Sequence, residues 1–87
     1  MLPHRLKEAR LKKGFSQQKL GVLAGIDEAT ASARMNQYER GIHVPDFELV
    51  CRLAAVLDVP ACYLYTLEDD LAGQILQWHE QRNKSQS

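Results

Sequence analysis

The strongest constraint on this chain lies between Ser16 and Gly41, where the sequence prescribes a helix, a tight glycine turn and a second helix. Ser16 suits a helix N-cap, because its hydroxyl can accept from the unpaired backbone amides of a first turn. Residues 17–24 follow, with Leu20, Leu23 and Ala24 on one side. Gly25 ends that helix, and Ile26 is an apolar residue that can tuck under the turn. A further helical run over residues 31–40 carries Ala31, Met35 and Tyr38 at helical spacing and stops at Gly41.

The flanking sequence is also helical. Residues 4–13 place Leu2, Leu6, Ala9 and Leu11 inward, Pro3 suits the first turn, and Gly14 is a terminating glycine. Val44-Pro45-Asp46 is an extended break with Asp46 as the next cap, and a fourth helix spans residues 47–57 with Phe47, Val50, Cys51, Ala54 and Leu57 on its stripe. After Asp58-Val59-Pro60 comes a short turn of helix at residues 61–65. Thr66 with Asp69 resembles a capping box for a last helix, from residue 67 to about 82, whose stripe is Leu64, Leu67, Leu71, Ile75 and Trp78. Residues 83–87 read as a frayed polar tail. Apolar residues recur at steps of three and four and never alternate, so the class is all-α, with five or six helices and no strand.

With 87 residues there is room for one core, and 45% hydrophobic with 25% charged residues is ordinary for a soluble globular chain. No stretch approaches the roughly 18 apolar residues of a membrane span, and the N-terminus has no apolar core behind its basic residues, so a cytoplasmic protein without a membrane partner is expected. Cys51 and Cys62 lie in apolar helical patterns outside any CxxC or Cys/His ligand spacing; buried reduced thiols and no metal are expected. His4, His43 and His79 are far apart in sequence, no serine sits in a nucleophile-elbow context, and no glycine-rich phosphate loop occurs, so the chain reads as neither an enzyme nor a cofactor binder. No site for a small-molecule effector is evident.

The net charge of zero conceals a gradient. Residues 1–44 carry eight Lys and Arg against four Asp and Glu, a net +4, whereas residues 45–87 carry three against seven, a net −4. This asymmetry suits a polyanion facing the first half.

Phe15-Ser-Gln-Gln-Lys-Leu-Gly-Val-Leu-Ala-Gly-Ile26, Tyr38-Glu-Arg-Gly41 and Pro45-Asp-Phe-Glu-Leu-Val-Cys-Arg-Leu-Ala-Ala-Val-Leu-Asp-Val59 together resemble the lambda-repressor/Cro-like (XRE-type) helix-turn-helix family of transcriptional regulators. The likeness covers about residues 4–65. It implies a compact five-helix lambda-repressor-like DNA-binding domain over residues 1–65, with an additional C-terminal helix and tail over residues 66–87 for packing or dimerisation. It further implies a bacterial or phage-encoded, nucleoid-associated repressor whose partner is double-stranded operator DNA.

The residues of the third helix agree with that expectation. A recognition helix must turn short polar side chains toward base edges while its inner side is anchored on the core. With Ala31, Met35 and Tyr38 inward, the outer side carries Ala29, Ala33, Asn36, Gln37 and Arg40, flanked by Thr30, Ser32 and Arg34, and has neither an acid nor a large apolar residue. Asn36 and Gln37 can pair with adenine and Arg34 with guanine, Thr30 or Ala33 can meet a thymine methyl, and Ser32 can pair with either kind of base. In the family, the glutamine opening the second helix holds a phosphate and braces the recognition helix, and Gln17 occupies that place. Ser16, Lys19, Arg40, His43, Arg10, Lys12 and Lys13 are further candidates for phosphate.

One departure from the family is visible. Between Ile26 and Glu39 the chain has about four residues more than the usual spacing. Either the third helix begins a turn early, near Asp27 or Glu28, or residues 27–30 form a longer turn. The last helix likewise has two readings: it folds back on its own domain, or it pairs with its copy in a homodimer that reads two half-sites. Rival functions on the same fold are a protein-interaction module and an antitoxin whose last helix binds a partner.

Overall fold

The computed structural model describes residues 1–86. Among them are five α-helices, one 3-10 turn and no strand: α1 (Pro3–Lys13), α2 (Gln17–Leu23), α3 (Ala31–Glu39), α4 (Phe47–Leu57), the 3-10 turn (Ala61–Tyr65) and α5 (Asp69–Gln86). The caps read from the sequence set these limits. The hydroxyl of Ser16 accepts from the Lys19 amide at 3.0 Å, and the Asp46 carboxylate from the Leu49 amide at 2.8 Å. Gly14, Gly25 and Gly41 all take positive φ, a conformation that costs a glycine little.

Leu6, Leu20, Met35, Val50, Leu53, Leu57 and Leu64 are fully buried, one or more from every element except α5. Burying each such side chain is worth about 1.5–3 kcal/mol. Helices α2 and α3 pack closely at Gly21. A Cβ added at Gly21 would lie 2.9 Å from the Ala31 Cβ and 3.1 Å from the Met35 Cγ. Only glycine fits there.

Several expectations are corrected. On α4 the buried stripe is Leu49, Val50, Leu53, Ala54 and Leu57, while Phe47 and Cys51 are exposed. Leu49 and Leu53 fill the core in place of Phe47 and Cys51, and the Phe47 ring instead meets the Tyr65 ring at 6.4 Å. Both cysteines are therefore surface thiols. Leu11 and Leu23 also point outward.

Helix α5 begins at Asp69 and runs on to Gln86, past the expected end. Thr66 does not cap it; its hydroxyl donates to the Cys62 carbonyl at 2.7 Å. The physical reason for the late start is Arg5. Its buried guanidinium donates to the carbonyls of Thr66 at 3.0 Å and Leu67 at 3.1 Å and to the Asp69 carboxylate at 2.8 Å. Those carbonyls are held by a side chain and do not lead into the helix. The inner side of α5 is Ala72, with Ile75 and Leu76 half-buried, whereas Leu67, Leu71 and Trp78 of the expected stripe are exposed.

At the start of α3, residues 27–30 form the longer turn. The Thr30 amide and hydroxyl both donate to the Asp27 carbonyl, at 3.1 and 3.3 Å, and the helix proper starts at Ala31.

Candidate nucleic-acid interface

Helix α3 buries Ala31, Met35 and Tyr38, the first two against Gly21 of α2, so its remaining sides are free to carry function. Ser32, Ala33, Arg34 and Arg40 are exposed, as is Thr30 just before the helix, and Asn36 and Gln37 are half-buried. The surface is short, polar and free of exposed acids over residues 30–38. Arg34 folds back along its own helix, its guanidinium 5.6 Å above the Tyr38 ring and hydrogen-bonded to the Tyr38 hydroxyl. Asn36 and Gln37 have no such tether on their side chains.

The one acid at the end of α3 is turned inward. Glu39, with its side chain 3% exposed, receives Arg10 through Nε to Oε2 at 2.6 Å and Nη2 to Oε1 at 3.0 Å. Arg10 also donates to the Phe15 carbonyl at 2.9 Å, and Gln17 donates Nε2 to Glu39 Oε1 at 3.3 Å. A buried charge is tolerated only when paired and hydrogen-bonded, and here three helices meet on one carboxylate. This corrects the expectation for Arg10: its charge is spent within the fold and is not presented to phosphate. The brace expected of Gln17 toward α3 is present, through Glu39.

The other candidates divide between two places. Ser16 and Lys19 are exposed at the start of α2, with Arg40 and His43 exposed beyond the end of α3. The Ser16 hydroxyl is engaged as a cap. Lys12 and Lys13, by contrast, line a hollow of about 280 Å³ with Leu57, Asp58, His79 and Asn83, to which α2 and α3 contribute nothing. There His79 Nδ1 accepts from Arg82 at 2.9 Å, which leaves Nε2 to donate to Asp58 at 3.0 Å. That hydrogen bond, with lesser help from the positive charge of Lys13 and the Asn83 carboxamide, holds the Asp58 carboxyl below its usual value against the opposing effect of burial.

Sequence reasoning did not single out two residues that shape the site. Gly21 sets the α2 to α3 distance, and Gln18 bonds to both sides of the α3 start, accepting from the Ser32 amide at 3.2 Å and donating to the Glu28 carbonyl at 3.1 Å. An isolated glycine inside a helical run was the available signal for the first. Nothing local could have announced the second, whose partners lie 10 and 14 residues away.

Among the described residues no group of His, Cys, Asp or Glu could hold a metal ion, and no helix is long and apolar enough to cross a membrane.

Residues 6–64 match the helix-turn-helix family. A crystal structure of the transcriptional regulator BswR is similar to this chain at 54% identity with a TM-score of 0.87, over 91% of this chain and 78% of that one. No protein of curated function matches the sequence.

Proposed function

The chain belongs to the lambda-repressor-like helix-turn-helix family of DNA-binding transcription regulators, and on that premise we propose that it is a repressor that reads the major groove with α3. The observation that carries this reading is the outer surface of α3, polar and without an exposed acid, on a helix whose own carboxylate is neutralised by Arg10. Thr30, Ser32, Ala33, Arg34, Asn36 and Gln37 face base edges. Arg34 must leave Tyr38 to reach a guanine, so Asn36 and Gln37 are the better-prepared readers. Ser16, Gln17, Lys19, Arg40 and His43 hold phosphates, while Lys12 and Lys13 add long-range attraction more than contact.

We assign residues 1–65 to the DNA-binding unit and residues 66–87 to an appended segment that carries α5, for packing or dimerisation. Support for a homodimer through α5 comes from its outer side, where Leu71 and Trp78 are half or more exposed on a helix whose inner side is already seated. Asp58, His79 and Asn83 in the α1/α4/α5 hollow are already bonded to one another, which supports repression without a small-molecule effector.

A titration with duplex DNA at several salt concentrations tests the reading. Affinity should fall steeply as salt rises, and Lys19→Ala should weaken all sequences alike and reduce the logarithmic salt slope by about 1. Gln37→Ala should instead relax preference at one base position, at a cost of about 1–3 kcal/mol. Negligible, salt-independent binding to every duplex would refute the proposal.

A further inference from the structure

The start of α3 lacks a cap of its own. Thr30 occupies the N-cap position, but its side chain makes no cap bond and is turned back to the Asp27 carbonyl. An α-helix leaves its first four amides without helical partners, and a cap normally satisfies one or two of them. Here the Ser32 amide is satisfied from a different helix, by Gln18 Oε1 at 3.2 Å. The same carboxamide donates Nε2 to the Glu28 carbonyl at 3.1 Å, inside the four-residue turn.

We propose that Gln18 is a specificity-determining positioning residue, a cap lent by α2 that fixes how residues 27–33 enter the major groove. The inference rests on α3 being the recognition helix. A primary carboxamide is the fitting group, because it accepts and donates at once; a carboxylate only accepts and an ammonium only donates. Successive glutamines thereby grip α3 near both ends, Gln17 through Glu39 and Gln18 through Ser32.

The consequence is graded along the helix. Asn36 and Gln37 lie between Met35 and Tyr38, which are buried, so packing holds their backbone whatever Gln18 does. Thr30, Ser32 and Ala33 flank only one buried residue, Ala31, and depend on the clamp. Loss of Gln18 therefore blurs base preference at positions facing the start of α3 and leaves positions facing Asn36 and Gln37 sharp.

Selection of bound duplexes from a random pool, run on the full chain and on Gln18→Ala, Gln18→Glu and Gln37→Ala, tests this, with amide exchange of Ser32 measured alongside. Gln18→Ala should leave the fold intact, raise Ser32 exchange, and reduce discrimination by roughly fivefold at outer positions, the ratio that one ordinary net hydrogen bond is worth. Gln18→Glu keeps the acceptor and should restore Ser32 protection, while its charge weakens binding to all duplexes alike. If Gln37→Ala alters the consensus but Gln18→Ala changes every position equally or none, the proposal for Gln18 is overturned and α3 remains the reader. If Gln37→Ala leaves the consensus unchanged, the recognition-helix reading and this inference both fail.

Discussion

Arg10 and Glu39, 29 residues apart in sequence, form a two-pronged ion pair beneath the start of α2 and the end of α3, with side chains 10% and 3% exposed. Removing one partner leaves the other charge buried and uncompensated, which typically costs 3–5 kcal/mol. Glu39→Ala should lose stability of that order in urea unfolding. Arg10→Met combined with Glu39→Leu should recover most of it. A double variant no better than Glu39→Ala would show that the geometry, not the charge balance, is what the pair supplies.

Gly21 and Gly73 predict opposite signs for one substitution. Alanine is favoured over glycine within a helix by about 1 kcal/mol. Nothing lies within 4 Å of a Cβ at Gly73, so Gly73→Ala should raise Tm by a few degrees. At Gly21 the new methyl meets Ala31 and Met35, and overpacking of this kind costs about 1–3 kcal/mol. Gly21→Ala should lower Tm and weaken DNA binding by displacing α3, and Gly21→Val should do so more strongly. Equal Tm shifts for both alanine variants would contradict the close approach.

Asp58 takes a left-handed backbone at the end of α4, with φ of 54°, and its carboxyl is held below the ordinary value chiefly by the hydrogen bond from His79. A depressed carboxyl contributes stability that is present above its unfolded value and is lost as pH falls through the lower folded one. The contribution of Asp58 should therefore be complete above about pH 4 and disappear in the acid range below it. In carboxyl-detected NMR titrations, His79→Ala should move the Asp58 midpoint upward. An unchanged midpoint would remove His79 as the cause.

Trp78 offers a direct test of the proposed dimer. It is 56% exposed on α5, with the Arg82 guanidinium 4.5 Å above its ring. Trp78→Ser should shift sedimentation toward monomer and convert binding of a two-half-site duplex from cooperative to independent. A wild-type chain that sediments as a monomer at high concentration would exclude α5 as the interface.

Punctuation was the most legible part of the sequence. Ser16, Asp46, Gly14, Gly25 and Gly41 act through their nearest neighbours, so their roles can be read where they stand. Rotation about a helix axis was less legible. In α4 the residues Phe47, Leu49, Val50, Cys51 and Leu53 supply more apolar positions than one stripe needs, and only packing decides that the leucines go inward. Least legible were polar groups with distant partners. Arg10 looked like a free phosphate contact because Glu39 is far along the chain, and Thr66 looked like a cap because Arg5, 61 residues before it, gave no local sign of holding its carbonyl.

That hold by Arg5 bears on where the chain can be divided. The guanidinium is 5% exposed, lies 5.7 Å from the Tyr63 ring, and finds its backbone acceptors at residues 66 and 67, beyond the end of the part that resembles a DNA-binding unit. A protein cut after residue 65 would keep every helix of the reading head and strand a desolvated cation beneath it. The seam between reading head and appended helix is thus visible in sequence likeness yet chemically sewn, and the shortest self-sufficient fragment must carry at least the first residues of α5.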